Sequence, residues 1–392
     1  MNSIIKKVIK FKLLIQNLLL KKNIKLEAQS FFYIGLFLLP SAFFISGICL
    51  FVTLLISLYK KRSQIFKDKW NLPFIFLSLF LIISSLNNQF FINSKVNYWI
   101  GLLNWIPLFL CFFSFQDYLD TPKKRYFSSL SLLIGSFPLF YSCIAQYFFQ
   151  AYGPYEILNG LIIWFQKPLN DPKSKDIIKG VSGLFSNANY AGLWLSMIFP
   201  FALINCINKN KVLITKILSW IIILLIAYLV VLTDSRNAFL GLLLSIPIVF
   251  SLKGILFIFA FLVLIFIIFS LSVNNILPNN LNQIFINLMS DELFIKFKLI
   301  FIENVRVFIW KETFLKILSR PVFGWGAGTF LLVLVNEITK NKITHAHNLP
   351  LEIAYNYGIP ASLILTITVS FILIKSSKII YKSKNNFDNL VD

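Results

Sequence analysis

The chain has 392 residues, of which 57% are hydrophobic and only 14% are charged. Soluble domains are about 45–50% apolar and about 25% charged, whereas the apolar residues here are grouped in runs long enough to cross a bilayer, about 20 residues each. The composition excludes a cytosolic enzyme, a secreted disulfide scaffold and a disordered protein. It predicts an all-α fold, a polytopic bundle of transmembrane helices. The net charge of +21 fits such a protein, because Lys and Arg accumulate in cytoplasmic loops.

The first 30 residues are basic, and a long apolar run follows at residues 31–59. A cleavable signal peptide has an apolar core of about 7–15 residues, so this longer run is expected to be retained. The run forms either one tilted span or two spans that turn near Pro40 or Gly47. Further apolar runs cover residues 72–86, 98–118, 127–150, 188–206, 217–233, 237–250, 254–273 and 351–374.

The distribution of basic residues decides between these alternatives. A single span at 31–59 would place the five basic residues of 60–71 outside, against the positive-inside rule. Two spans place 23 of the 37 Lys and Arg residues in short inside loops and leave 14 for much longer outside segments. We therefore predict about 10 spans with both termini cytoplasmic, and one tilted span at 31–59 stays as the alternative.

Two long polar segments, 151–187 and 274–350, lie on the external face in this topology. In the second segment, apolar side chains recur at the spacing of one helix face, which predicts an amphipathic helix over 305–318. Arg320-Pro321 should end that helix, because proline cannot continue it. The sequence contains no nucleotide-binding glycine motif followed by a helix. The energy for a reaction is therefore expected from an activated, lipid-borne substrate or from a gradient.

The chain has two histidines, His345 and His347, just before the last apolar run. They can bind a metal with Glu352 as a third ligand, or they can be polar surface residues. A third interpretation is acid–base chemistry, because an imidazole titrates near pH 6.5 and, when neutral, can accept the proton of an attacking hydroxyl. The four cysteines lie within apolar runs and lack metal-binding spacing, so we expect no disulfide and no metal site.

Two arginines of the external segments are candidates for binding phosphate. Arg236 lies between two apolar runs, and Arg306 lies on the predicted amphipathic helix. A guanidinium group is always charged and its planar donors match phosphate oxygens; a snorkelling anchor and a solvated helix face are the plainer alternatives. Asn187 and Asn189 open the run at 188–206, where one of them can cap the helix and where a helix N-terminus favours an anion.

Four stretches, in this order along the chain, make it resemble the O-antigen ligase family, which also includes O-antigen polymerases and bacterial protein O-oligosaccharyltransferases. They are GLFSNANYAGLWL, LTDSRNAFLGLLL, RVFIW followed by RPVFGWGAGTF, and HAHNLPLEIAYNYGIPASLIL, and together they span residues 183–365. The branch that looks closest is the cyanobacterial one once labelled as inorganic-carbon transport proteins.

The resemblance implies a GT-C-like helical bundle with the family's large periplasmic loop at 274–350. It implies an integral membrane glycosyltransferase that transfers or polymerises a glycan from undecaprenyl pyrophosphate onto an acceptor hydroxyl, with inversion and without a metal or cofactor. His347 matches the family's catalytic base, and Arg236 and Arg306 match its pyrophosphate-binding arginines. The candidates for substrate binding are then Asn187, Asn189, His345 and Trp310.

Four segments follow from this resemblance: a basic cytoplasmic segment (1–30), a transmembrane region with the first external loop (31–180), an O-antigen ligase-like domain (181–375) and a basic cytoplasmic tail (376–392). The expected location is the inner membrane, with the active site on the periplasmic face. The expected partners are the lipid-linked glycan donor, a lipid A core or a growing glycan as acceptor, and membrane lipids, but not nucleic acid.

The alternative function is a membrane transporter of bicarbonate or of a glycolipid. A transporter places ionisable side chains at mid-membrane depth or interrupts paired helices. Charged residues are scarce within the apolar runs of this chain, which favours the transferase.

Overall fold

The computed structural model of the chain describes residues 28–91, 98–168, 180–207, 213–250, 305–330 and 345–383, together with isolated positions between 260 and 278. Most of these residues are helical and very few lie in strands, which confirms the all-α prediction. One short antiparallel sheet pairs β1 (Tyr155–Ile157) with β2 (Ile162–Trp164). The helices are α1 (Ala28–Leu38), α2 (Phe43–Lys61), α3 (Leu72–Phe91), α4 (Ile100–Leu103), α5 (Ile106–Ser114), α6 (Pro122–Gly135), α7 (Phe137–Phe148), α8 (Ala188–Ile207), α9 (Leu213–Leu232), α10 (Arg236–Phe250), α11 (Val305–Ser319), α12 (Leu349–Tyr357) and α13 (Ile359–Ser383).

Among the described residues, seven segments are long and apolar enough to cross a membrane, which makes the chain a membrane-embedded protein. The helices α1 and α10 are apolar but shorter, and the predicted run at 254–273 lies mostly outside the described residues. The ten predicted spans are therefore supported in seven cases and remain a prediction in three. The seven segments are Phe43–Lys61, Leu72–Gln89, Ile100–Tyr118, Pro122–Phe148, Ala188–Cys206, Leu213–Leu232 and Ile359–Ile379.

The apolar run at 31–59 is broken near Pro40, one of the two turn positions that the sequence suggested. The turn lies between α1 and α2, and across it the Ser46 hydroxyl donates a hydrogen bond to the carbonyl oxygen of Gly35 at 2.7 Å. This helical hairpin replaces the single tilted span. With 11 residues, α1 is about 16 Å long, which is shorter than the hydrocarbon core of about 30 Å.

Two of the seven segments are interrupted helices. The segment Ile100–Tyr118 consists of α4, α5 and a final 3-10 turn. The segment Pro122–Phe148 consists of α6 and α7, which meet at Ser136. At this break the Ser136 hydroxyl donates to the carbonyl oxygen of Leu132 at 2.7 Å and accepts the indole N–H of Trp194 at 2.8 Å.

The described chain divides into two compact units, and the first holds most of α2, the helices α1 and α6–α10, and the sheet. Its core lies where α8 and α9 pack on each other, α8 also on α6 and α9 also on α7. The buried apolar side chains there include Leu139, Cys143, Leu195, Ile226 and Leu229. Burial of such side chains, at roughly 25 cal/mol per Å² of apolar surface where the reference is water, is the main stabilising term of packed cores.

The second unit holds α3, α4, nearly all of α5, and α11–α13. In it α13 packs on α3 and on α12, and α11 packs on α12. The helix predicted over 305–318 is confirmed as α11, and it ends at Ser319, directly before Arg320-Pro321. Of its apolar face, Ile309, Thr313 and Ile317 are buried.

The buried amide of Gln146, near the end of α7, holds two loop segments of the first unit in place. Its Oε1 accepts hydrogen bonds from the N–H groups of Ser182 and Gly183 at 3.0 and 2.9 Å. Its Nε2 donates to the carbonyl oxygen of Lys167 at 2.6 Å and to the Ser182 hydroxyl at 3.2 Å. Sequence analysis treated both segments only as polar loop, whereas the structure ties them to the end of a span.

We predict that Gln146→Ala destabilises the protein by about 2–4 kcal/mol, because two buried N–H groups lose their acceptor. The thermal unfolding midpoint of the detergent-purified variant should fall by several degrees. Gln64→Ala, at an exposed position, is the matched control and should unfold like the parent. Equal midpoints for the two variants would contradict the role given to Gln146.

Candidate functional site

The two histidines lie on a short loop that is fixed at the alanine between them. The N–H group of Ala346 donates to Oε2 of Glu352 at 2.7 Å, and its carbonyl oxygen accepts the indole N–H of Trp310 at 3.0 Å. Ala346 is fully buried, whereas His345 and His347 are exposed and their ring centroids are 4.0 Å apart. The loop therefore presents two imidazoles on a backbone that is held from both sides.

The start of α12 supplies the carboxylate that holds this loop. Asn348 caps the helix, since its Oδ1 accepts the N–H of Leu351 at 3.2 Å, and Pro350 lies in the first turn, where its missing amide hydrogen is not needed. Glu352 also lies in this turn, where the helix dipole favours a negative charge. Its Oε1 accepts the side-chain N–H of Asn356 at 3.1 Å. Both carboxylate oxygens are thus used within the loop and the helix start.

The backbone of His347 has a φ of 53°, in the left-handed region that residues other than glycine seldom adopt. Such a conformation costs of order 1–3 kcal/mol and persists only where surrounding contacts hold it. The hydrogen bond of Glu352 to the preceding residue and the helix cap at Asn348 provide those contacts. The position of His347 is therefore set by its neighbours.

The glycine cluster at 324–328 serves close packing against α12. Gly326 has a φ of 92°, and a Cβ atom there would overlap the ring of Tyr98. The N–H of Trp325 donates to the carbonyl oxygen of Tyr355 at 2.7 Å, and the N–H of Gly326 donates to that of Asn356 at 3.0 Å. These bonds attach the loop after α11 to the helix that carries Glu352 in its first turn.

Two buried tyrosines next to this loop stay neutral at ordinary pH. Burial raises the pKa of Tyr355 to about 12, with its hydroxyl 3.3 Å from that of Thr329. Burial also raises the pKa of Tyr357. A general base has to lose its proton near the working pH, so these two phenols are unsuited to that role and the imidazoles of the loop remain its candidates.

Arg236 lies in the first unit, at a place where two helices begin side by side. It is the first residue of α10 and is exposed. Asn187 caps the neighbouring α8, because its Oδ1 accepts the N–H of Asn189 at 2.8 Å. The Ser235 hydroxyl donates to Oδ1 of Asn189 at 2.9 Å and so ties the two helix starts together. Each N-terminus carries about half a positive charge, and a guanidinium beside the pair makes the place favourable for an anion.

The structure therefore gathers the predicted site residues into two clusters, each within its own unit. One cluster contains Asn187, Asn189 and Arg236, and the other contains Trp310 with the loop of the two histidines. Arg306 lies in the first turn of α11, one turn before Trp310, and its side chain lies outside the described part of the structure. Asn189 and Trp310, predicted to bind substrate, have structural hydrogen-bond partners.

Sequence analysis missed two residues that organise these clusters. Glu352 was considered only as a metal ligand, although an acidic residue in the first turn after an Asn cap is a helix-start signal. Ser235 carried no such signal, because its partner Asn189 is 46 residues away. Across the part of the chain that the structure describes, no group of three or more His, Cys, Asp or Glu residues is arranged to hold a metal ion.

The helical spans make this a polytopic α-helical membrane protein, and its two polar clusters lie at the starts of helices. The family model described as O-antigen ligase matches residues 220–366 of the chain. This match covers part of the chain and confirms the resemblance found in the sequence, apart from its inorganic-carbon branch. No curated protein gives a significant match. The family match indicates a bacterial membrane protein that handles lipid-linked glycans, with a glycosyltransferase-like activity.

We predict that Glu352→Ala releases the histidine loop. The N–H of Ala346 would lose a charge-assisted hydrogen bond worth about 1.5–3 kcal/mol, so its hydrogen–deuterium exchange should accelerate about tenfold or more. Glu352→Gln keeps an acceptor at the same place and should restore slow exchange. Glu312→Ala, on α11, is the matched control. Unchanged exchange in Glu352→Ala would refute the clamp.

Proposed function

We propose that the protein transfers a glycan from an undecaprenyl-pyrophosphate donor onto an acceptor hydroxyl at the periplasmic face of the inner membrane. The observation that carries this proposal is the family match, because residues 220–366 include Arg236, Arg306 and His347. The site residues, the domain boundaries and the cytoplasmic location of both termini belong to the proposal as well.

Arg236 and Arg306 bind the pyrophosphate of the donor in this mechanism. The paired starts of α8 and α10 support the assignment of Arg236, since two helix N-termini and a guanidinium attract the same anion. As the bond to the sugar breaks, negative charge grows on the leaving phosphate. Donors already placed around the pyrophosphate stabilise that charge more in the transition state than in the bound substrate.

His347 acts as the general base. It takes the proton of the acceptor hydroxyl while the hydroxyl oxygen forms a bond to the anomeric carbon and the bond from that carbon to the phosphate oxygen breaks. Undecaprenyl pyrophosphate leaves, and attack from the opposite side inverts the anomeric centre. Glu352 and Trp310 are positioning residues, because they hold the backbone next to His347 rather than the reacting atoms. No metal or cofactor takes part.

The acceptor is either a lipid A core or the end of a growing glycan, which corresponds to a ligase or a polymerase. Asn187, Asn189, His345 and Trp310 are the proposed substrate-binding residues. Asn189 and Trp310 already have hydrogen-bond partners within the protein. These two residues therefore act by fixing the backbone and side chains around the substrate.

A transporter is the second candidate, and one observation favours it. The segments Ile100–Tyr118 and Pro122–Phe148 are interrupted helices, and interrupted helices form the substrate sites of many transporters. At the second interruption Ser136 bonds to the carbonyl oxygen of Leu132 and to the indole of Trp194, both inside the protein. These bonds support a structural role for the interruption rather than a role in binding a transported substrate. Uptake of labelled bicarbonate or glycolipid by vesicles containing the purified protein would favour the transporter.

We predict that deletion of the gene changes the glycan pools of the native bacterium. Long glycans held on the lipid carrier beside bare lipid A core would indicate a ligase, and cores with a single repeat would indicate a polymerase. Adding back His347→Ala should leave transfer reduced by about 10²–10⁴, since a positioned general base contributes that much. Lys123→Ala, at an exposed position in the first turn of α6, is the control and should restore the parent pattern. Full complementation by His347→Ala would contradict the role of the base.

We also predict that transfer by the purified protein continues in excess EDTA. In this mechanism Arg236 and Arg306 balance the negative charge of the donor's pyrophosphate, so no divalent cation is needed there. Activity lost in EDTA and regained with Mg²⁺, Mn²⁺ or Zn²⁺ would overturn the metal-independent mechanism and would return His345, His347 and Glu352 to the list of candidate ligands.

A further inference from the structure

The hairpin of β1 and β2, which sequence analysis did not predict, carries an unusually apolar surface for a loop. Between Tyr147 and Gln166 the sequence has one charged residue, Glu156, and seven aromatic residues. The hairpin turns through Asn159-Gly160, a dipeptide typical of tight β-turns. A segment of this composition is poorly suited to an aqueous loop.

The register of the two strands defines an outward and an inward face. Tyr155 pairs with Trp164, so these two side chains share one face, which is called inward because the Trp164 indole donates from it to the carbonyl oxygen of Ser41 at 2.8 Å. Tyr155 itself stays 40% exposed. The outward face alternates with it and is apolar apart from Glu156. Its exposed apolar side chains are Leu158 (61% exposed), Leu161 (49%), Ile163 (43%) and Phe165 (43%).

Contacts within the first unit fix the level of the hairpin base along the span of α6 and α7. The chain turns back directly after α7, because the N–H of Ala151 donates to the carbonyl oxygen of Ala145. The base of the hairpin is held there, where Gln146 donates to Lys167 and the N–H of Gly153 donates to Gln166. The base therefore lies beside the last turn of α7.

One side chain near this base extends back along the span. Trp164 reaches Ser41, in the turn that follows α1. The end of α1 packs on Gly135, where the carbonyl of Phe37 meets it, and Gly135 precedes Gln146 by about 16 Å of helix. At its start, α1 lies near the beginning of α6, because Gln29 donates a hydrogen bond to the carbonyl oxygen of Tyr118. Because α1 is short, its turn reaches only part of the way along the span, and the base of the β-hairpin lies beyond that turn.

We propose that the outward face of the β1–β2 hairpin contacts the acyl chains of the membrane leaflet opposite the basic loop, which is the segment 119–126 formed by the residues before α6 and the first turn of that helix. The surface continues the lipid-facing end of α7, where Tyr147, Phe148 and Phe149 are exposed, and aromatic residues concentrate at membrane interfaces. Among the described residues β1 pairs only with β2, and an open strand edge cannot lie in the hydrocarbon core. The hairpin therefore lies at the boundary of the acyl and headgroup regions, with Glu156 at its root.

The test uses single cysteines in a background in which Cys49, Cys111, Cys143 and Cys206 are replaced by alanine. The full-length protein, reconstituted in phosphatidylethanolamine–phosphatidylglycerol vesicles, carries a nitroxide at Leu161→Cys or Leu158→Cys. Collision rates with oxygen, which concentrates in lipid, and with a neutral nickel chelate, which stays in water, are then measured. Leu224→Cys, exposed on the span α9, is the lipid reference, and Asp120→Cys, exposed in the basic loop, is the water reference.

The expected result is an oxygen-to-nickel ratio at Leu161 and Leu158 that lies between those of Leu224 and Asp120 and is at least threefold above that of Asp120. A ratio equal to that of Asp120 would overturn the proposal, because the hairpin would then stand in water. Low collision rates with both reagents would also overturn it, since the face would then be covered by protein. Each labelled variant is compared only if its thermal unfolding midpoint matches that of the cysteine-free parent, and the two sites serve as checks on each other.

Discussion

A peptide group that leaves a helix inside a bilayer needs a partner within the protein, because hydrocarbon offers none. This chain breaks its apolar helices repeatedly, and polar side chains meet the exposed backbone groups. Ser46 bonds to the carbonyl of Gly35 at the turn near Pro40, and Ser84 and Asn88 both donate to the carbonyl oxygen of Phe323 in the second unit. Buried Ser and Asn side chains thus bond to backbone groups at or near the places where the helical pattern is interrupted.

The same constraint organises the candidate site. Ala346 lies between two exposed histidines, and its own peptide groups are buried and satisfied by a carboxylate and an indole. The helix starts near Arg236 are joined through Ser235 and Asn189 in a comparable way. In both clusters the histidine and arginine side chains are exposed, while the groups that position them are held by hydrogen bonds. Preorganisation of this kind is what a group-transfer reaction requires of its protein.

Much of this could be predicted from sequence, where the signal is local. Hydropathy located the spans, Pro40 marked the turn, and Arg320-Pro321 marked the end of α11. The β-hairpin was missed although Asn159-Gly160 is a local turn signal, because the segment was treated as polar loop. The roles of Glu352, Ser235 and Gln146 could not be predicted in this way. They depend on hydrogen bonds to groups whose neighbourhood is set by tertiary packing, and apolar periodicity carries no information on such pairs.

The most direct test of the proposed transfer is a single-turnover reaction of the purified protein in vesicles with an undecaprenyl-pyrophosphate-linked glycan and a hydroxyl acceptor. The two products are quantified by mass spectrometry, and the anomeric configuration of the new linkage is determined by NMR. The account predicts one undecaprenyl pyrophosphate released for each glycan transferred, with inverted configuration. Glycan that crosses the bilayer still attached to its carrier, or a product with retained configuration, would contradict it.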